Sequence, residues 1–267
     1  MTPLPHTHRP VIAVLQARMS SSRLPGKVLK PLQGSPMLLH QIRRVQRARL
    51  LDGLVVATSD RDDDTPIEHL CRDNDIPCFR GPLDNVLERF YQAAKAHKAH
   101  TIVRLTGDCP LADPEKIDDL IAQFIGQEAD YAINCIPPQL PHGLDAEVFS
   151  FDCLKEARAH ARLPSELEHV TPYMRKPESG FKLTHTQYPD THAHHRWCVD
   201  EPEDFQLVQA VYDALYPENP RFTTRDILNL LEQQPEIPAI NAHIDSRAQG
   251  QKRDQERDNE FLAQGTP

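Results

Sequence analysis

Short apolar runs alternate with stretches of helical spacing along most of this chain, and that order commits it to a sheet with helices packed on its faces. The first run is Val11 to Leu15. Ser35-Pro36 then supplies an N-cap and a first-turn proline, after which Leu38, Ile42 and Val45 recur on one helical face. Leu54 to Thr58 reads as a second strand, Ile67 and Leu70 as a short helix, and Ile76 to Phe79 as a third, brief strand. Val86, Leu87, Phe90, Tyr91 and Ala94 mark an amphipathic helix, and the β-rich run Thr101 to Leu105 behind it belongs at the centre of the sheet. A further helix starts at Pro114 and carries Ile117, Leu120, Ile121 and Phe124.

From about 130 to 190 the pattern loosens into short strands (130–134 and 146–151) mixed with helices, which predicts a smaller inserted lobe on the main sheet. Regularity returns at Trp197-Cys198-Val199, followed by helices from Pro202 and from Thr224 to Leu231. The fold class is α/β, with a Rossmann-like, mostly parallel central sheet between helical layers and one main domain over 10–245. Residues 1–9 and the charged tail 246–267, nearly free of large apolar side chains, are expected to be disordered. No internal repeat is visible.

Composition narrows the partners. A 267-residue chain with 39% hydrophobic residues can bury a core. Its formal charge of -9 carries no lysine- or arginine-rich run, which argues against a nucleic-acid or anionic-membrane surface. No apolar run approaches the roughly 20 residues that span a bilayer, and the first ten residues lack the apolar centre of a signal peptide, so the cytoplasm is expected. The six cysteines include no C-x-x-C pair, a usage that fits reduced thiols.

The chemistry gathers directly after the first strand. Gln16-Ala17-Arg18-Met19-Ser20-Ser21-Ser22-Arg23-Leu24-Pro25-Gly26-Lys27 concentrates two arginines, a lysine and three hydroxyls at a strand's carboxyl end, where open α/β sheets bind ligands. Guanidinium forks, an ammonium and small hydroxyls suit a triphosphate, whose charge must be held and whose oxygens must be oriented. A solvated basic turn is the plainer alternative. Neither a G-x-G-x-x-G fingerprint nor a G-x-x-x-x-G-K-[ST] loop occurs.

The stretch Gln16-Ala17-Arg18-Met19 through Ser22-Arg23-Leu24-Pro25-Gly26-Lys27-Val28-Leu29 resembles the first motif of the cytidylyltransferase superfamily that includes CMP-KDO synthetase and acylneuraminate cytidylyltransferases, and most closely its SpsF-type, spore coat polysaccharide branch. The resemblance implies a GT-A-like nucleotidyltransferase fold and a triphosphate-binding role for Gln16, Ala17, Arg18, Ser22, Arg23 and Lys27.

Two further segments are similar to that superfamily's metal-binding motifs: Thr106-Gly107-Asp108-Cys109-Pro110, beyond the central strand, and Val199-Asp200-Glu201-Pro202-Glu203-Asp204. The resemblance implies that Asp108 and Asp200 hold Mg²⁺, a hard cation that takes one or two carboxylates and bridges substrate phosphates. Asp204 reads instead as a first-turn carboxylate complementing a helix dipole. The implied reaction is attack of a sugar hydroxyl on the α-phosphate of CTP, with pyrophosphate leaving, and it calls for positioning and charge neutralisation rather than a covalent nucleophile. Catalytic roles fall to Arg18, Arg23, Lys27, Asp108 and Asp200.

By the same resemblance Thr58, Arg80 and Asn85 belong around the base and ribose, with Asp84 a candidate N-cap. Glu147, in Gly143-Leu144-Asp145-Ala146-Glu147, and His169 are placed nearest the acceptor sugar. His185, His192, His194 and His195 are too irregularly spaced for zinc. A homodimer formed through 130–190 is also implied. The rival enzyme class is a metal-dependent GT-A glycosyltransferase, for which Asp60-Arg61-Asp62 and Asp73-Asn74-Asp75 are the available Asp-x-Asp motifs. A nucleotide-binding protein without chemistry is the non-enzyme alternative.

Overall fold

The computed structural model describes residues 8–189, 191–244 and 246–264. In chain order the elements are β1 (Val11–Gln16), the two-residue pair β2 (Pro31–Leu32) and β3 (Ser35–Pro36), α1 (Met37–Val45), β4 (Gly53–Ser59), α2 (Thr65–Asp73), β5 (Cys78–Gly81), α3 (Val86–Ala96), β6 (Thr101–Thr106) and α4 (Pro114–Gly126). There follow β7 (Tyr131–Ile133), β8 (Glu147–Ser150), α5 (Phe151–His160), α6 (Pro164–His169), β9 (Leu183–His185), α7 (Pro202–Leu215), α8 (Thr224–Gln233), α9 (Glu236–Ala239) and α10 (Ser246–Ala263).

Seven strands form one sheet in the order β5-β4-β1-β6-β8-β7-β9. The first four are parallel, β8 runs antiparallel to both β6 and β7, and β9 is again parallel to β7. Strands from the 130–190 region therefore extend the main sheet; they do not build a second one. Strand alternation explains the layers. Val11, Ala13 and Leu15 of β1 face a core with Leu38, Ile42 and Val45 of α1 and Ile117, Leu120 and Phe124 of α4. Ile12 and Val14 face the opposite core, with Leu87 and Phe90 of α3 and Leu154 and Ala157 of α5. A third cluster, around the fully buried Trp197, joins α7 and α8 to Leu32 and Met37 beside the sheet's carboxyl edge.

This order fixes where a ligand can sit. The chain runs outward from β1 to β4 and β5, then crosses back to add β6 on the other side of β1. The carboxyl ends of β1 and β6 thus flank a switch in winding direction, the crevice open α/β sheets use for ligands.

The described residues near the two ends differ from expectation. Residues 1–7 and 265–267 lie outside the described residues, and Arg9, expected in a disordered lead, donates to Asp52 Oδ1 at 2.6 Å. The tail is corrected over Ser246–Ala263, which forms the helix α10. Hydrophobicity could not reveal it, because α10 is held to α6 by hydrogen bonds: Asp258 is buried and accepts from both the backbone N (3.0 Å) and Oγ (2.5 Å) of Ser165.

Candidate active site

The β1 loop approaches β6 so closely that only glycine fits between them. Gly107 N donates to Gln16 O at 2.7 Å, and a Cβ on Gly107 would lie 2.9 Å from both Gln16 O and the Ala17 Cβ. Asp108 is thereby set beside the start of the basic loop. That loop turns back at Gly26, with φ +70°, whose N donates to Met19 O at 3.0 Å, so that Lys27 is delivered underneath it and is only 8% exposed.

The second aspartate arrives by another close contact. At Gly143, with φ +117°, a Cβ would lie 2.6 Å from Cys198 N, so the loop can press onto the segment leading to Asp200. Trp197 N and Cys198 N both donate to His142 O, at 2.6 and 2.9 Å, and Val199 N donates to Asp108 O at 2.8 Å. That last bond ties the two aspartate segments together. Asp204, fully buried, accepts from Asp200 N, Glu201 N, Arg196 Nε and Asn241 Nδ2 at 2.8–2.9 Å. It organises the turn and caps α7, as its first-turn position suggested.

Asp108 and Asp200 then meet at one point. Lys27 Nζ donates to Asp108 Oδ2 at 3.1 Å, to Asp200 Oδ1 at 2.9 Å and to Val199 O at 2.6 Å. Arg23 reaches Asp200 Oδ2 at 3.1 Å and Glu201 Oε1 at 3.1 Å, and Arg196 reaches Asp200 Oδ2 at 3.3 Å. Burial works to lower the Lys27 ammonium, yet the two carboxylates outweigh it and hold the pKa above the ordinary lysine value. Burial likewise works to raise Asp108, but Lys27 and hydrogen bonds from Thr106 and Cys109 keep it below the usual carboxylate range. The Lys27 ammonium thus occupies the space between the two carboxylates.

A cavity of about 270 Å³ opens over this cluster. Of the expected residues it brings together Gln16, Ala17, Arg18, Ser22, Arg23, Lys27, Asp108, Asp200 and His169. Arg89, Arg104, Thr106 and Glu168 also line it and were not expected. The signal for the two arginines was a charged side chain inside an apolar helix face and an apolar strand. Five cationic side chains (Arg18, Arg23, Lys27, Arg89, Arg104) face three carboxylates (Asp108, Glu168, Asp200) there, so the lining favours an anionic ligand. Arg89, buried under the loop, has its pKa lowered to about 10, first by burial.

Four expected residues lie elsewhere. Thr58 is fully buried in β4. Arg80 is spent on Glu68, at 2.8 Å, and on the carbonyls of Ser59 and Arg61. Asn85, and not Asp84, is the N-cap of α3, accepting from Glu88 N at 2.8 Å. Glu147 is 7% exposed and stands behind the cavity, bonded to Arg104 and, at 2.5 Å, to Tyr131 Oη. Burial acts to raise its pKa, but the Arg104 and Arg175 charges keep it low. It therefore supports Arg104, which does face the cavity. Asp60, Asp62, Asp73 and Asp75 are all exposed and away from this cavity, which leaves the Asp-x-Asp reading without a site. A second cavity, of about 210 Å³, mixes four arginines with three carboxylates around Asp113 and Arg44 and contains none of the expected residues.

Residues 12–237 match the model of the cytidylyltransferase family. This chain belongs to the cytidylyltransferase family. It is a nucleotidyltransferase. The spore coat polysaccharide biosynthesis protein SpsF of Bacillus subtilis is 33% identical over 233 residues, covering 85% of this chain and 95% of the relative. The structure of a cytidylyltransferase from Leptospira borgpetersenii superposes with a TM-score of 0.82 at 28% identity, covering 86% of this chain and 97% of the other. A 3-deoxy-manno-octulosonate cytidylyltransferase of Anaeromyxobacter dehalogenans is 35% identical over 120 residues, 44% of this chain and 48% of the relative. The motifs quoted above all fall inside the family match. The helix α10 falls beyond it.

Proposed function

We propose that this cytidylyltransferase joins CTP to an acidic sugar, forming a CMP-sugar and pyrophosphate for a surface polysaccharide. The observation that carries the reading is the convergence of Asp108 and Asp200 on Lys27 at the floor of a cation-lined cavity. Relatives named for spore coat polysaccharide and for 3-deoxy-manno-octulosonate point the same way.

In this reading the triphosphate lies along the β1 loop. Arg18, Ser22, Arg23 and Lys27 hold its oxygens, and the positive lining offsets its charge before attack. The sugar hydroxyl oxygen forms a new bond to the α-phosphorus, the bond from that phosphorus to the bridging oxygen breaks, and pyrophosphate departs with the electron pair. The hydroxyl proton is released. Arg104, steadied by Glu147, offers a guanidinium suited to a sugar carboxylate, with His169 on the same cavity wall.

Asp108 and Asp200 suit Mg²⁺, since their carboxylates converge and already share the Lys27 ammonium. Among the described residues no group of three or more metal-ligating side chains forms a preformed cage, and Mg²⁺ in phosphate chemistry takes only one or two carboxylates. Bound there, it would supply charge neutralisation at the phosphates. We further propose a homodimer formed through 130–190, which light scattering at micromolar concentration tests by mass, and a place in the cytoplasm, where CTP is made. No described helix is long and apolar enough to cross a membrane.

The deciding experiment measures pyrophosphate release from each nucleoside triphosphate against a panel of sugars with Mg²⁺. CTP with a sugar acid is expected to give stoichiometric pyrophosphate. Release with no triphosphate and sugar pair, or transfer only from a preformed nucleotide sugar, would overturn the proposal.

A further inference from the structure

The helix α10 supplies no residue to the cavity lining, yet it grips the two residues of α6 that do line it. Arg257 Nη1 donates to Glu168 Oε2 at 2.6 Å, and His169 Nε2 lies 2.9 Å from Asp254 Oδ2. Asp254 is itself 3.5 Å from Arg257. Beneath them Asp258 takes two hydrogen bonds from Ser165, at the start of α6. The grip has something to oppose. Directly after His169 the chain passes through Val170 at φ +70°, a region a β-branched residue adopts only when its surroundings hold it.

Glu168 is the awkward member of this cavity. Its Oε1 lies 4.0 Å from Arg18 Nη2, too far for a hydrogen bond but close enough to form one after a small rotation. A carboxylate free to turn toward Arg18 would occupy the guanidinium fork and add negative charge where phosphates are to bind. Arg257 prevents this from behind, on the other carboxylate oxygen. Burial acts to raise the Glu168 carboxyl, and the Arg257 hydrogen bond together with the His169, Arg257 and Arg18 charges brings it below the ordinary value, so it is a full anion in need of a partner.

We propose that α10 is a working part of the active site, in which Arg257 is a positioning residue that keeps Glu168 off Arg18 and so leaves the Arg18 guanidinium available to an anionic group of the substrate. This rests on the reading of the cavity as a CTP site. It assigns a role to a segment outside the family match, and it explains how an acidic side chain is tolerated in a phosphate cavity.

The test is CTP binding to the full-length chain by calorimetry, without sugar, so that no turnover intervenes. Arg257→Ala should weaken CTP binding about tenfold, the worth of one charge-assisted hydrogen bond. Lys252→Ala removes the same charge from the same helix, where Lys252 pairs at 3.9 Å with the exposed Glu256, and should leave the affinity unchanged. Adding Glu168→Gln to Arg257→Ala should restore affinity to within about twofold, because the competing anion is gone; a purely structural role for Arg257 would not be rescued this way. Wild-type affinity in Arg257→Ala, or failure of the double variant to recover, overturns the proposal. Failure of the unaltered chain to bind CTP at all would remove the CTP reading instead.

Discussion

Asp108, just beyond β6, and Asp200, just before α7, bind the same ammonium: Lys27 Nζ lies 3.1 Å from one and 2.9 Å from the other. Either carboxylate can therefore be neutralised without stranding Lys27, which keeps the other partner and Val199 O. Asp108→Asn and Asp200→Asn should each lower turnover by at least about 100-fold, the usual scale for losing one charge aimed at the reacting group. Their melting temperatures should stay within a few degrees of the unaltered protein. Pyrophosphate-release rates together with thermal melts check both halves, and near-normal rates in the pair would remove the two aspartates from the chemistry.

The sequence announced this convergence and missed much around it, for identifiable reasons. Asp108, Asp200, Arg23 and Lys27 each sit in a short contiguous motif, so local pattern was enough to find them. Glu147 also sits in a motif, but its side chain faces Arg104 only because β6 and β8 pair antiparallel in one register, Arg104 opposite Glu147. Nothing local fixes that register. Thr58 and Arg80 lie near strand ends as expected, yet burial claims the first and Glu68 the second. The helix α10 was hidden because its docking uses Asp254, Arg257 and Asp258, residues whose charge reads as solvated until their partners on α6 are known.

Gly143 offers a sharper test of how Asp200 is placed. Its φ of +117° is a conformation side chains rarely adopt, and a Cβ there would meet Cys198 N at 2.6 Å and the Trp197 carbonyl carbon at 2.7 Å, both backbone atoms. Neither can swing away. Gly143→Ala should cost about 1–3 kcal/mol of stability from backbone strain alone and should displace the 197–200 segment enough to reduce turnover at temperatures where the variant remains folded. Urea unfolding and initial rates, measured side by side, check this; an alanine variant with unchanged stability would show that the loop does not press on the segment as described.

Glu147 should behave as a support and not as a substrate contact. It is buried against Arg104 and Tyr131, so Glu147→Ala leaves Arg104 without its carboxylate in a low-dielectric setting, a change that commonly costs about 3–5 kcal/mol. Glu147→Gln, which retains hydrogen-bonding atoms at the same place, should cost less. Denaturant unfolding of the two variants gives the order directly. A fully stable Glu147→Ala protein that has lost only sugar affinity would return Glu147 to the substrate-facing role that its motif suggested.

Acid should loosen this fold in two separate windows. Burial, aided by the neighbouring His194 and His192, pushes the His195 pKa down to about 4 from an ordinary value near 6.5, and burial lowers His40 in the same sense. Between pH 6.5 and 4 the unfolded chain therefore takes up protons that the folded chain refuses. Stability must fall as pH falls through that interval, and the His195 share levels off below about 4. The carboxylates held low in the fold, Asp108 and Glu147 among them, lose their contribution only further down, as pH drops below the ordinary carboxylate range. Urea midpoints should thus decline from pH 7 to pH 5, before any carboxylate matters, and His195→Gln should flatten that decline because glutamine cannot take the proton in either state. A variant whose midpoint falls as steeply as that of the unaltered chain would show that His195 is not the group responsible.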